Sequence, residues 1–204
     1  MPSVLDLLVA LNPWWNDKPF EAGIRRENYF AKIQKYLKTN EIVVLTGVRR
    51  SGKTTLLFQI IDDLIRNRRV DPRSILFINC DEPEVTRLDN PLDTLLETYR
   101  RDVYGGDAAY LILDEVQTID GWERWVKSLY DRKQYSLIVS GSTSYLLDSN
   151  LATLISGRYL PVHVYPLDFA EYAVFSGEEL PHDPVALAAA KHRFLNLLGE
   201  YLRE

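Results

Sequence analysis

The run Gly47-Val48-Arg49-Arg50-Ser51-Gly52-Lys53-Thr54 constrains the fold of this chain more than any other segment, because it fits G-x-x-x-x-G-K-[ST] residue for residue. Its flanks are those such a loop requires. Before it, Glu41 to Thr46 is a short β-branched run that reads as a buried strand; after it, Leu56, Leu57, Ile60, Ile61, Leu64 and Ile65 recur at helical spacing. Two glycines let the backbone close around phosphate oxygens, while successive N–H groups and the helix N-terminus supply a concave positive field. Lys53 adds a point charge near the β/γ-phosphates, and Thr54 is placed to put its hydroxyl on Mg²⁺. Gly47, Val48, Arg49, Arg50, Ser51, Gly52, Lys53 and Thr54 are therefore the expected cradle of a nucleoside triphosphate.

A second segment points to hydrolysis. Tyr110-Leu111-Ile112-Leu113-Asp114-Glu115 is four mainly apolar residues ending in two carboxylates, the signature of a buried parallel strand that delivers acid to its C-terminal edge. Asp114 is the expected Mg²⁺ partner. Glu115 is the candidate to orient and deprotonate an attacking water, since phosphoryl transfer leaves the protein mainly positioning and charge stabilisation to supply. No N-K-x-D guanine reader occurs in the chain, so adenine is the expected base.

The rest of the chain alternates strand and helix, the pattern of an open parallel sheet covered on both faces. Further strands are expected at Ser74 to Asn79, Ser136 to Ser140 and Tyr159 to Val164, giving about five in all. Helices are expected at Ser3 to Leu11, Pro91 to Asp102 and Tyr145 to Ile155, and from Asp120, whose D-x-x-E with Glu123 resembles a capping box. Another begins at Asp183-Pro184 and carries Ala190, Phe194, Leu198 and Leu202 on one face. That face is apolar to the last residues, which reads as a shortened chain or a partner surface. The fold class is thus an α/β, three-layer P-loop sandwich.

At 204 residues and 46% hydrophobic, the chain can bury one large core. A net charge of -5 argues against a globally basic nucleic-acid binder, and Arg25-Arg26, Arg66 to Arg69 and Arg100-Arg101 read first as solvated helix ends. One cysteine, Cys80, excludes an internal disulfide and fits a reducing, cytoplasmic setting. No apolar run approaches membrane-spanning length, so no membrane partner is expected. The histidines His163, His182 and His192 lack metal-ligand spacing.

Taken in order, Asn12-Pro13-Trp14-Trp15, Ile24-Arg25-Arg26, the loop Gly47 to Thr55, Asp114-Glu115-Val116-Gln117, Gly121-Trp122-Glu123, Ser140-Gly141-Ser142, Ser156-Gly157-Arg158-Tyr159 and Pro166-Leu167-Asp168-Phe169-Ala170-Glu171-Tyr172 resemble the prokaryotic AAA-type ATPases common in archaea and bacteria. The resemblance spans roughly residues 10 to 175. In that family a separate C-terminal domain, often related to restriction-endonuclease folds, usually follows the ATPase, and this chain ends near where it would begin. The resemblance adds Thr55 to the nucleotide cradle and implies that Ser140 or Ser142 senses the γ-phosphate, against a plain Ser-Gly-Ser-Thr turn. It implies that Ile24 and Arg25 close over adenine, against ordinary packing before a helix. It also implies that Arg158 is a finger reaching the γ-phosphate of a second copy in trans, against a salt bridge to a nearby carboxylate. Trp14 and Trp15 read as core anchors, Asp168 to Tyr172 as a helix start packing its aromatics inward. Arg49 and Arg50 either counter phosphate charge or brace the loop against Asp81 and Glu82.

The expected organisation is an N-terminal helix and tryptophan segment at 1–22, an ATP-binding domain at 23–175 and a helical extension at 176–204. The expected function is Mg-dependent ATP binding with slow hydrolysis that switches an attached domain or protein partner. The alternative is an assembly scaffold locked by nucleotide with negligible hydrolysis; a small-molecule kinase is disfavoured, because adjacent acids suit water activation better. Nucleic acid remains open as a target.

Overall fold

The structure is a computed structural model that describes residues 3–106, 109–142, 158–178, 181 and 183–203. The chain divides into two compact units, Met1–Val164 and Tyr165–Glu204.

The first unit is built on five parallel strands: β1 (Ile42–Thr46), β2 (Ile75–Asn79), β3 (Ala109–Asp114), β4 (Tyr135–Gly141) and β5 (Tyr159–His163). Their order in the sheet is β2-β3-β4-β1-β5. All five residues of β1 are buried, as a central strand covered on both faces requires. The connection from β1 to β2, through α3 (Lys53–Arg66), runs one way across the sheet. Those through α5 (Pro91–Asp102) and α6 (Trp122–Arg132) run the other way. Right-handed crossovers then place α3 and α5/α6 on opposite faces. α2 (Glu27–Tyr36) packs beside α3, and α1 (Val4–Leu11), capped by a reciprocal Ser3/Asp6 box, packs on α5 and β2. A short helix α4 (Pro83–Thr86) follows β2. The result is the α/β P-loop sandwich read from the sequence.

The N-terminal segment is part of this core, because it closes a sheet edge. β2 is an edge strand, and its outward peptide groups need partners. Asn12 supplies them like a further strand residue: Nδ2 donates to Phe77 O at 3.0 Å and Oδ1 accepts from Phe77 N at 2.7 Å. Both indole N–H groups, Trp14 at 3.2 Å and Trp15 at 2.9 Å, donate to Ile75 O. The tryptophans are buried, Trp14 edge-on to Phe20 and Trp15 stacked on Tyr99. At the other edge, Pro161 sits inside β5, where a missing N–H is tolerated.

Two local expectations change. α6 is capped by Gly121, in a left-handed conformation with φ 75°, and Asp120 makes no side-chain cap. The expected C-terminal helix is two, α8 (Pro184–Ala189) and α9 (Lys191–Tyr201), and the buried positions are Phe194 and Leu197, with Leu202 exposed.

In the second unit α7 (Phe169–Phe175) starts with a reciprocal Asp168/Glu171 capping box, and its Phe169 and Tyr172 pack against Tyr201. Residues of α7 therefore pack with the C-terminal helices within this unit. The helix expected over 145–155, with Ser156, Gly157 and His182, lies outside the described residues. Among the described residues no helix is long and apolar enough to cross a membrane.

Candidate nucleotide-binding site

β1 delivers the chain into the glycine-rich loop at Thr46, and α3 begins at Lys53. Only glycine fits at 47, where an added Cβ would lie 2.3 Å from Val164 O and 2.6 Å from Ser51 Oγ. Gly52 takes φ 91° as the helix N-cap, and Arg50 takes φ 65° at the loop's tip. Ser51 Oγ is buried in this loop with no hydrogen-bond partner among the described residues. A buried hydroxyl left unpaired in a cradle of N–H groups fits a phosphate oxygen.

Lys53 is buried at 4% exposure; its Nζ donates to Gly47 O at 3.2 Å and Val48 O at 3.3 Å and lies 3.4 Å from Glu115 Oε1. The aligned ends of β3 and β4 bring the acids alongside. Thr54 Oγ1 donates to Asp114 Oδ2 at 2.6 Å, and Ser140 Oγ donates to Asp114 Oδ1. Ser140 Oγ also accepts from Glu115 N at 3.3 Å. Burial pushes the Asp114 carboxyl above its ordinary range; the bonds from Ser140 and Thr54 oppose this, the charge of Glu115 adds to it, and Lys53 offsets it in part. Thr54 and Asp114 form an oxygen-only donor pair suited to a hard cation such as Mg²⁺. Cys80, after β2, is buried, and its thiol is pushed upward by that burial and by Asp114 and Glu115.

Lys53, Thr54, Asp114, Glu115 and Ser140, read separately from the sequence, thus converge at one point. Ser140 is fully buried with its hydroxyl engaged by the Asp114 carboxylate and the Glu115 backbone N–H, so it acts on the placement of both residues. Ile24 and Arg25 lie near α3: Gln59 Nε2 donates to Ile24 O at 2.8 Å and to Ala22 O at 3.1 Å. An added Cβ at Gly23 would come 3.1 Å from Thr55 Cγ2, so this segment runs against the first turn of α3. Ile24 is exposed, and Arg25 lies 4.2 Å over the Phe30 ring. Val48 and Arg49 are exposed, and Arg49 Nη2 is 3.9 Å from Asp81 Oδ2, a loose brace.

Two contributors had no role in the sequence reading. Arg26 is buried, and its Nη1 donates to Ser51 O at 2.8 Å, fixing the loop from behind. Gln117 Nε2 donates to Glu115 Oε2 at 2.6 Å. Both belong to the segments that carry the family resemblance, but their targets lie across the loop or around a turn, which spacing alone does not show.

Arg158 stands apart from this cluster. It precedes β5, and its carbonyl accepts from Ile42 N at the start of β1, whereas the loop leaves the other end of that strand. Strand rise puts roughly 16 Å between them. Its Nη1 lies 3.2 Å from Asp131 Oδ1, and its guanidinium is 5.8 Å from the Tyr130 ring centre.

A sequence family described as "AAA domain" matches residues 39–173. An uncharacterized protein of Haemophilus influenzae is 33% identical over 152 residues, 74% of this chain and 38% of the relative. Two uncharacterized proteins of Methanocaldococcus jannaschii are 33% identical over 171 residues, 84% of this chain and 36% of theirs, and 30% identical over 159 residues, 76% and 32%. The chain spans about a third of the length of these relatives. A chain in the structure of C. elegans PCH-2 superposes with a TM-score of 0.46 at 17% identity, covering 76% of this chain and 47% of that one.

Proposed function

The chain belongs to the AAA domain family, and from that premise we propose that it binds Mg-ATP and hydrolyses it slowly, switching an attached domain or a protein partner between two states. One observation carries the reading. The paired acids at the end of β3 meet the loop lysine, with Glu115 Oε1 3.4 Å from Lys53 Nζ and Asp114 held by Thr54 and Ser140.

Each residue then has a task. Lys53 exchanges the loop carbonyls of Gly47 and Val48 for phosphate oxygens, the backbone N–H groups of the loop hold the phosphate chain, and Ile24 and Arg25 flank the base. Thr54 and Asp114 would hold Mg²⁺, which supplies charge neutralisation at the phosphoryl oxygens. Glu115 takes a proton from water as the water oxygen bonds to the γ-phosphorus and the bridging oxygen leaves on ADP with the bonding pair. Ser140 holds both acids in register. Arg158, at the far end of the sheet, serves the nucleotide of a second copy in trans, where its permanent charge and planar fork suit the transferring phosphoryl group. Its contact with Asp131 is the resting partner it exchanges on assembly.

Phosphate release by wild-type protein, compared with Glu115→Gln and with EDTA, tests this reading. Steady Mg-dependent release that Glu115→Gln cuts to a small residual rate supports it. Tight ATP binding without release by the wild type points to the scaffold instead.

A further inference from the structure

Glu115 enters the 3-10 turn Val116–Thr118 with φ 51°, and its carboxylate is held from two sides, by Lys53 Nζ on Oε1 and by Gln117 Nε2 on Oε2 at 2.6 Å. The turn itself is anchored independently, because the single O–H of Thr118 is shared between Cys80 O at 2.7 Å and Glu115 O at 2.9 Å. The orientation of the Gln117 amide follows from chemistry: an ionised carboxylate only accepts, so the NH₂ end must face it. The other end, Oε1, is buried with no hydrogen-bond partner among the described residues. Burying an acceptor unpaired costs stability. A side chain present for packing alone would do better as methionine, which has similar length and no acceptor to bury.

We propose that Gln117 is a positioning residue for hydrolysis, fixing the carboxylate of Glu115 through Oε2 and leaving Oε1 to face the water. This rests on the hydrolytic reading above. Lys53 is shared between Glu115 and the phosphates and gives up its hold when nucleotide arrives. Gln117 has no such competing ligand, so its bond to Oε2 is the one that persists through the cycle. Its effect belongs to turnover and not to nucleotide affinity, which the loop determines.

Two measurements on the full chain test this. In a ¹⁵N spectrum, the side-chain amide of Gln117, assigned by its loss in Gln117→Met, is expected to shift upfield in Glu115→Ala. An amide indifferent to Glu115→Ala overturns the proposal whether or not the protein hydrolyses ATP. In the second, Gln117→Met is expected to keep ATP affinity within about twofold and its Tm at or above wild type, while kcat falls about 10- to 100-fold, the weight of one hydrogen bond to a charged group. In the Glu115→Gln background the same change should have no further effect on the residual rate. A lowered Tm with unchanged kcat, or a full additional loss in the double variant, would mean that Gln117 only supports the turn. Absence of turnover in the wild type would overturn the hydrolytic reading, and the spectrum alone would then decide the Glu115–Gln117 pair.

Discussion

Replacing Asn12 with alanine tests the most unusual structural feature, the closure of a sheet edge by side chains. Asn12 is fully buried, and its amide forms three hydrogen bonds, donating to Leu8 O at 2.8 Å and Phe77 O at 3.0 Å and accepting from Phe77 N at 2.7 Å. Leu8 O keeps a partner in the variant, because Asn12 N also donates to it. The N–H and C=O of Phe77 both lose theirs. At about 1–3 kcal/mol for each buried group left unpaired, the expected loss is about 3 kcal/mol, with a range of about 2–6. For a protein of this size that lowers Tm by roughly 6–12 °C. Urea unfolding followed by tryptophan fluorescence reads the right part of the molecule, since Trp14, Trp15, Trp122 and Trp125 all lie in the first unit. Asn12→Asp should be no better at neutral pH: it keeps an acceptor for Phe77 N but sets a carboxylate against two carbonyls. A loss below about 1 kcal/mol in Asn12→Ala would show that water reaches this edge and that the amide bonds do not close it.

Three further outcomes follow from the site. Lys53→Ala removes the cation closest to the loop carbonyls and should weaken ATP binding by about 2 kcal/mol, read by calorimetry; near-equal affinity would remove the loop from the binding site. Ser140→Ala deprives Asp114 and Glu115 N of a shared partner and should lower turnover by roughly 10-fold or more in a phosphate-release assay, with ATP affinity changed little. Arg158→Ala should keep ATP affinity within a few-fold yet cut turnover by roughly 10³, and mixing it with Lys53→Ala should restore part of the rate. Linear dependence on protein concentration with no restoration would confine Arg158 to its own subunit.

The parts readable from sequence are those fixed by local rules. The phosphate loop is written in eight consecutive residues, and the acid pair ends an apolar strand run, so neither needs a partner to be recognised. The five strands are legible for the same reason, as short, mainly apolar runs between turns. What escaped depends on sheet order. Trp14 and Trp15 read as core anchors, but that they and Asn12 also serve Ile75 and Phe77 shows only once β2 is known to lie at an edge. The resemblance points Ser140 at the γ-phosphate, but its hydrogen bond to Asp114 depends on the register of β3 against β4, which no local pattern shows. Arg26 and Arg25 are indistinguishable by type, and only the fold turns one into the loop and the other onto Phe30. Gly121 took the cap expected of Asp120 because a left-handed residue was needed there.

In the proposed reaction, water activated at Glu115 attacks the γ-phosphate, and isotope incorporation tests that step most directly. Wild-type protein turning over Mg-ATP in H₂¹⁸O should release phosphate carrying one solvent oxygen per molecule, while Glu115→Gln binds ATP with similar affinity and releases labelled phosphate only at a small residual rate. Wild-type protein that binds ATP but releases no labelled phosphate, or a Glu115→Gln variant that labels phosphate at the wild-type rate, would contradict it.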